Sequence, residues 1–295
     1  MKISIVIRSY NEIRYFPKLI TAIKNQNGYS SSDVEIILVD SGSDDGTLEY
    51  GKLHCDKVEC ILKDEFSFGR SLNIGCKVSE GEFIVLISAH CVPVDCEWLA
   101  NLVKPFHDKK IGVTYGRQIG GEETRFSEHQ IFSKYFPADV QQLNNLEYYC
   151  NNANCAIRND LWKERKYDEE LSGLEDMDFA KWCFKEKKLK IHYRPDATVY
   201  HFHHESWKSI RRRFEREANA LALISPDSII NISSALKYLI VAITNDLKKS
   251  LKEKTITQYA GEILFYRICQ YYGSYKGGLY YQKLSSAKRR RYYYP

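Results

Sequence analysis

The chain has 295 residues, a formal net charge of +5, 27% charged residues and 44% hydrophobic ones. That balance excludes a disordered, collagen-like or membrane-integral polypeptide and leaves a globular chain with one large domain, or a domain with an appendage. The small positive excess is unevenly placed: Lys283, Lys288, Arg289, Arg290 and Arg291 lie near the end, with Tyr292, Tyr293 and Tyr294 and no acid among them.

In chain order, Ile3-Ser4-Ile5-Val6-Ile7 predicts a first strand, and Asn11 stands where it can cap a helix carrying Ile13, Phe16, Leu19, Ile20 and Ile23 on one face. Residues 34–39, Val-Glu-Ile-Ile-Leu-Val, predict a second strand buried on both faces. Gly42, Asp44, Asp45 and Gly46 form a turn, and Thr47 opens a short helix. A third short strand is expected over 58–62, a helix over 67–79 with Leu72, Ile74 and Cys76 inward, and a fourth strand over 83–87. Trp98, Leu99, Leu102, Val103 and Phe106 give the next helix its stripe. Strands alternating with helices in this way predict an α/β fold: a doubly wound, mainly parallel sheet with helices on both faces. After Gly116 the rhythm breaks, and residues 118–149 read as a polar, aromatic loop over a site. Residues 151–158 predict a strand, Asp160 caps a short helix, and Leu189-Lys190-Ile191-His192-Tyr193 is a strand stopped by Pro195. Residues 197–200 are again strand-like. From Ser206 the pattern is helical, through Ile210, Phe214 and Leu221 and then Leu236, Leu239, Ile240 and Ile243, giving a helical C-terminal extension.

No signal peptide is expected at the start, and the apolar run over 239–243 is far short of the ~20 residues that span a bilayer, so a cytoplasmic location is expected. The nine cysteines include Cys55/Cys60, Cys91/Cys96 and Cys150/Cys155, none with the two-residue gap of a zinc knuckle, which favours plain thiols.

Chemistry gathers at strand ends. Ile7-Arg8-Ser9-Tyr10-Asn11, Val39-Asp40-Ser41-Gly42 and Ile87-Ser88-Ala89-His90 each run from buried strand into polar residues, the way an open α/β sheet presents a ligand site at its carboxyl edge. Asp40 at its strand end can accept a hydrogen bond from a nucleobase, or the turn's Asp and Thr can merely cap a helix. Ser88 and His90 alternate to one side, so His90 can bind a metal or bond the backbone. His201, His203 and His204 follow a strand-like run, and His201 and His203 would share a face. Glu175, Asp176 and Asp178 open a helix whose inner face is Phe179, Trp182 and Cys183. They either complement its dipole or include a general base, with Asp178 left to the surface. Arg211, Arg212, Arg213 and Arg216 can meet a diphosphate or an anionic head group, or form a solvated face.

Taken together, these residues resemble a family 2 glycosyltransferase of the GT-A fold over about residues 1–220. Ser4-Ile5-Val6-Ile7-Arg8-Ser9-Tyr10-Asn11-Glu12 is similar to the family's opening strand and turn, and Val39-Asp40-Ser41-Gly42-Ser43-Asp44-Asp45-Gly46-Thr47 to its second. Asn73-Ile74-Gly75 with Gly81-Glu82-Phe83-Ile84, then Asn154-Cys155-Ala156-Ile157-Arg158, Tyr167-Asp168-Glu169, Glu175-Asp176 and a later histidine follow in the family's order. The resemblance implies a nucleotide-diphospho-sugar donor and inverting transfer to a hydroxyl. It implies Asp176, or Glu175, as base and Arg8, Tyr10, Glu12, Asp40, Ser43, Arg70, Asn73, Ser88, Ala89 and His90 as the donor site. Asn154 and Trp207 are assigned to the acceptor.

One departure stands out: Ser88-Ala89-His90 occupies the family's metal-binding Asp-x-Asp, and the nearest pattern is the bacterial rhamnosyltransferase-like branch. Losing two carboxylates disfavours magnesium and suits imidazole-preferring ions, so a manganese or magnesium ion would fall to His90, His201 and His203. Without a metal, His90 and nearby arginines would neutralise the leaving group directly. The expected organisation is a domain over 1–220, divided into a donor half (1–117) and an acceptor half (118–220), with a basic helical tail over 221–295. Expected partners are the donor, a glycan or lipid-linked acceptor of bacterial surface polysaccharide, and an anionic membrane surface for the tail; no nucleic acid is expected. The alternative is a nucleotide-sugar- or glycan-binding scaffold that has lost its metal site.

Overall fold

Strand β1 (Ile3–Ser9) is almost wholly buried because its apolar side chains are needed on both faces of a sheet. It is followed by α1 (Phe16–Lys24), β2 (Val34–Asp40), α2 (Thr47–His54), β3 (Lys57–Cys60), α3 (Phe68–Lys77), β4 (Phe83–Ser88), the short β5 (Cys91–Pro93) and α4 (Trp98–Val103). The chain continues through β6 (Ile111–Ile119), α5 (Phe126–Tyr135), β7 (Asn154–Arg158), α6 (Asn159–Glu164), α7 (Glu175–Lys185) and β8 (Lys190–His201), and ends in α8 (Trp207–Ile224), α9 (Ile232–Lys252) and α10 (Ile256–Leu279). The computed structural model describes residues 2–30, 32–143, 147–281 and 285. The basic, tyrosine-bearing end from Lys283 to Tyr294, Ser285 apart, lies outside the described residues.

The chain divides into two compact units, the first comprising residues to 121 with 132–169 and 175–202, the second 122–131, 170–174 and the residues from 203 on. The first unit holds one sheet in the order β3-β2-β1-β4-β7-β6-β8-β5. β2, β1 and β4 are parallel neighbours, with Ser9 opposite Asp40 and Arg8 opposite Ser88, so the three polar strand ends do meet at one edge. β1 is the point where the strand order reverses, the place an open α/β sheet leaves a crevice. β7 runs antiparallel to both β4 and β6, and β5 antiparallel to β8, so the sheet is mixed.

Helices cover both faces. On one, Phe16 and Leu19 of α1 and Trp98 and Leu102 of α4 pack on Ile5, Ile7 and Val85; on the other, Leu72, Trp162 and Phe179 pack on Val6, Ile37 and Leu86. Burying each such side chain contributes ~1.5–3 kcal/mol. Gly75 lets α3 lie against the sheet, since a Cβ there would sit 2.4 Å from Val6 Cγ1.

Several expectations need correction. Asn11 caps no helix: it adopts a positive φ of 56°, and its side-chain amide bonds Asp44 in both directions, tying the loop after β1 to the turn after β2. Residues 111–119 form a strand not expected from the sequence, and the expected loop over 118–149 contains helix α5. Pro195 does not stop its strand. β8 runs through it, with a register irregularity against β6 between Gly116 and Gln118 absorbing the missing donor.

In the second unit, Ile210 and Phe214 of α8 pack with Tyr266 of α10. Gly277 permits the close approach of those helices, as a Cβ there would meet the Glu215 carbonyl oxygen at 2.1 Å. Asp246 of α9 accepts from Arg267 of α10 at 2.7 Å, a buried pair that joins these helices. No helix among the described residues is long and apolar enough to cross a membrane.

Candidate active site

The turn after β2 is built by Asp40. Its carboxylate is fully buried and accepts from the amides of Gly42 and Ser43 at 2.9 Å, from Ser43 Oγ at 2.5 Å and from Ser9 Oγ at 3.0 Å. Gly42 and Gly46 take the positive φ values of 85° and 97° that the turn requires. Tyr10 lies beside this turn, its hydroxyl 3.0 Å from Lys63 Nζ.

Past β4 the chain turns at His90 into β5. His90 Nδ1 lies 2.5 Å from Glu12 Oε1, and because a carboxylate only accepts, the ring donates through Nδ1. The His90 ring stacks on that of His201 at 5.1 Å between centroids, and His201 Nδ1 is 2.6 Å from Gln118 Oε1. The pair is set by main chain: Cys91 of β5 pairs with His201 of β8, and the Phe202 amide donates to the His90 carbonyl at 3.1 Å. An imidazole that donates through Nδ1 to a carboxylate or amide oxygen has Nε2 as its basic nitrogen, the tautomer of histidines that ligate metals. The donor set thus fits an imidazole-preferring divalent ion at His90 and His201. His203 lies two residues past the end of β8 at His201. His203 belongs to the second unit, where its Nδ1 is 2.7 Å from Glu128.

The third element is the start of α7. Asp176 is buried, and its oxygens accept from the Asn152 amide and its neighbour Met177, each at 2.8 Å. Burial, and then the negative charge of Glu175, push its carboxyl up to about 7; those two amides and Arg8 pull only partly the other way. Arg8 Nη1 stands 3.6 Å from Glu175 Oε1, and its guanidinium lies over Phe68 at 5.0 Å. Among the described residues, neither Arg8 Nη1 nor Asn152 Oδ1, both buried, has a hydrogen-bond partner. A carboxyl that titrates near neutrality, beside a cation with an unsatisfied N–H, is equipped to take a proton while negative charge develops nearby.

The remaining predicted residues fall elsewhere. Asn73 is bonded within the fold: its amide donates to Tyr167 O and Glu169, and its oxygen accepts from Trp162 Nε1 and Tyr167 N. Asn154 is fully buried in the sheet, where it accepts from Trp98 Nε1 and donates to Arg117 O and Ala197 O. Asn152, two residues earlier, is the asparagine at the carboxyl group, and Gln118 is the residue that orients His201. Only their position in polar stretches beside predicted elements could have drawn attention to them. Arg70 is half-buried near Glu65, while Ser88 and Ala89 are buried at the β4 edge. Asp178 is not surplus surface, since it holds Arg165 at 2.7 Å. In the second unit, Trp207 carries Arg125 over its ring at 4.0 Å, and Arg213 is held by Glu128 and Glu205. Burial raises Glu128, but His203 and Arg213 outweigh it and hold the carboxyl at about 2.

Comparison with known proteins yields a family model, Glycosyl transferase family 2, matching residues 4–165. The O-antigen chain rhamnosyltransferase RfbN of Salmonella typhimurium is 27% identical over 221 residues, 69% of this chain and 67% of that one. The poly(ribitol-phosphate) beta-N-acetylglucosaminyltransferase TarS of Staphylococcus aureus is 22% identical over 266 residues; the match takes in 88% of this chain but less than half of TarS, 44%. Among solved structures, the mannosyltransferase PcManGT of Pyrobaculum calidifontis, in complex with GDP-Man and Mn2+, superposes with a TM-score of 0.60 at 15% identity, covering 98% of this chain and 87% of that one. The structure of TarS residues 1–349 gives 0.52 at 18% identity, covering 96% and 93%.

Proposed function

The chain belongs to glycosyl transferase family 2, and from that premise we propose that it is an inverting transferase with Asp176 as its base. The donor is a nucleotide-diphospho-sugar, and the acceptor is a hydroxyl of a glycan or lipid-linked glycan in bacterial surface polysaccharide synthesis. The observation that carries this reading is the buried Asp176 carboxyl, pushed up to about 7 and placed beside Glu175 and Arg8. The names of RfbN and TarS, an O-antigen and a poly(ribitol-phosphate) enzyme, support the acceptor class.

In the transfer, the acceptor oxygen attacks the anomeric carbon from the face opposite the diphosphate. The carbon–oxygen bond to the diphosphate breaks with its electron pair leaving on phosphate, and the acceptor proton passes to Asp176. Tyr10 and the turn built by Asp40 and Ser43 form the nucleotide side of the crevice. Arg8 keeps positive charge beside the reacting groups. His90 and His201, oriented by Glu12 and Gln118, would hold a divalent ion, which when bound supplies charge neutralisation for the diphosphate.

The test is donor hydrolysis and thermal shift with UDP-, dTDP-, GDP- and CMP-sugars, each with manganese and with EDTA. One donor class should raise the melting temperature of both wild type and Asp176→Asn, while only wild type releases the sugar. Equal hydrolysis by the two proteins would remove Asp176 from the mechanism, and no shift with any donor would favour the scaffold.

A further inference from the structure

Helices α9 and α10 are joined by three residues and pair antiparallel, with Asp246 holding Arg267 and the Tyr238 ring 6.5 Å from that of Tyr271. Each helix buries one stripe and leaves a second, apolar stripe uncovered. On α9, Leu236, Ile240 and Leu251 are 53%, 64% and 61% exposed; on α10, Phe265, Ile268 and Tyr272 are 58%, 43% and 52% exposed. Apolar side chains repeated in this way on neighbouring helices mark a surface meant for contact.

The charges on the same hairpin say with what. Between Ile232 and Lys252 the only acid is Asp246, which is buried on Arg267, so every exposed charged group of α9 is a lysine: Lys237, Lys248, Lys249 and Lys252. Lys249 has Glu253 beyond the helix end at 4.0 Å. On α10, Glu262 is taken up by Arg125, and Lys276 by Glu215. A second copy meeting this face about a twofold axis would set lysine against lysine. An anionic bilayer satisfies both features, since lysines meet lipid phosphate while leucine, isoleucine and aromatic rings enter the interface. Neither helix is apolar enough to cross.

We propose that the α9–α10 hairpin is a docking surface for an anionic lipid membrane, on which it lies flat. This surface is separate from the residues assigned to sugar transfer and does not depend on them.

The experiment is cosedimentation of the full chain with neutral phosphatidylcholine vesicles and with vesicles containing phosphatidylglycerol. Wild type should pellet with the anionic vesicles only, and salt should weaken it. Leu236→Ser/Ile240→Ser/Phe265→Ser and, separately, Lys248→Gln/Lys249→Gln/Lys252→Gln should each weaken binding at least tenfold, while the donor-induced thermal shift stays at the wild-type value. A chain ending at residue 281 should still bind through the hairpin. Three results would overturn the proposal. One is wild type failing to pellet with anionic vesicles. Another is both variants binding like wild type while the shortened chain does not, which would assign attachment to the tail. The third is a dimer by light scattering that the serine variant dissociates, which would make a second copy the occupant.

Discussion

Replacing Asp176 by Asn keeps the shape of a buried group and removes its charge. In the folded chain the carboxyl holds its proton up to about 7, against 3.8 for an ordinary aspartate. The folded state therefore binds more protons than the unfolded one between those values, and stability falls as pH rises through that window. Each pH unit is worth ~1.4 kcal/mol, so ionising Asp176 in place costs about 4 kcal/mol in total. The residue is 7% exposed, so little solvent screening reduces this. The amide stands in for the protonated carboxyl and has no such dependence. Urea unfolding at pH 5 and pH 8 should show Asp176→Asn gaining on wild type by about 3 kcal/mol between the two, with transfer falling ~10²–10⁴-fold. An advantage equal at both pH values would refute the argument, because the carboxylate would then be comfortable where it lies.

Three further outcomes are expected. The wild-type rate should rise through pH 7 as Asp176 ionises, and Glu175→Gln, by removing the adjacent negative charge, should move that midpoint to lower pH in a kcat/KM profile. Glu12→Gln should weaken manganese binding ~10–100-fold in calorimetry, since it unseats the Nδ1 partner of His90, with the melting temperature of the metal-free protein little changed. Asn73→Ala should cost ~2–4 kcal/mol by chemical denaturation, because Trp162 Nε1 and the Tyr167 amide lose a buried acceptor, yet leave donor affinity unaltered in the folded fraction.

Much of the fold is legible in the sequence because buried parallel strands write themselves as apolar runs. β1, β2 and β4 are of this kind, and their polar ends at Arg8, Asp40 and Ser88 meet where the alternation of strands and helices places them. β6 and α5 are not legible. β6 contains Gly112, Gly116 and Arg117, and α5 spreads its apolar residues without a clean face, so neither gives a periodic signal. Pro195 misleads for a related reason: a proline stops a strand only if its lost donor is needed, and an irregular register removes the need. At the candidate site, sequence order singles out the Glu175-Asp176 pair but not which asparagine lies beside it. Asn152 and Asn154 differ only in direction, the side-chain amide of one reaching Glu175 Oε1 at 3.5 Å and that of the other bonding into the sheet. That direction depends on how β7 enters between β4 and β6, a long-range pairing no local pattern encodes.

The seam between β5 and β8 has a practical corollary for engineering. The spacing of the His90 and His201 rings is dictated by a backbone ladder, Cys91 against His201 and the Phe202 amide on the His90 carbonyl. Substitutions that leave this ladder intact should therefore keep the imidazole pair at its spacing, which makes the sheet edge a rigid frame for the two rings.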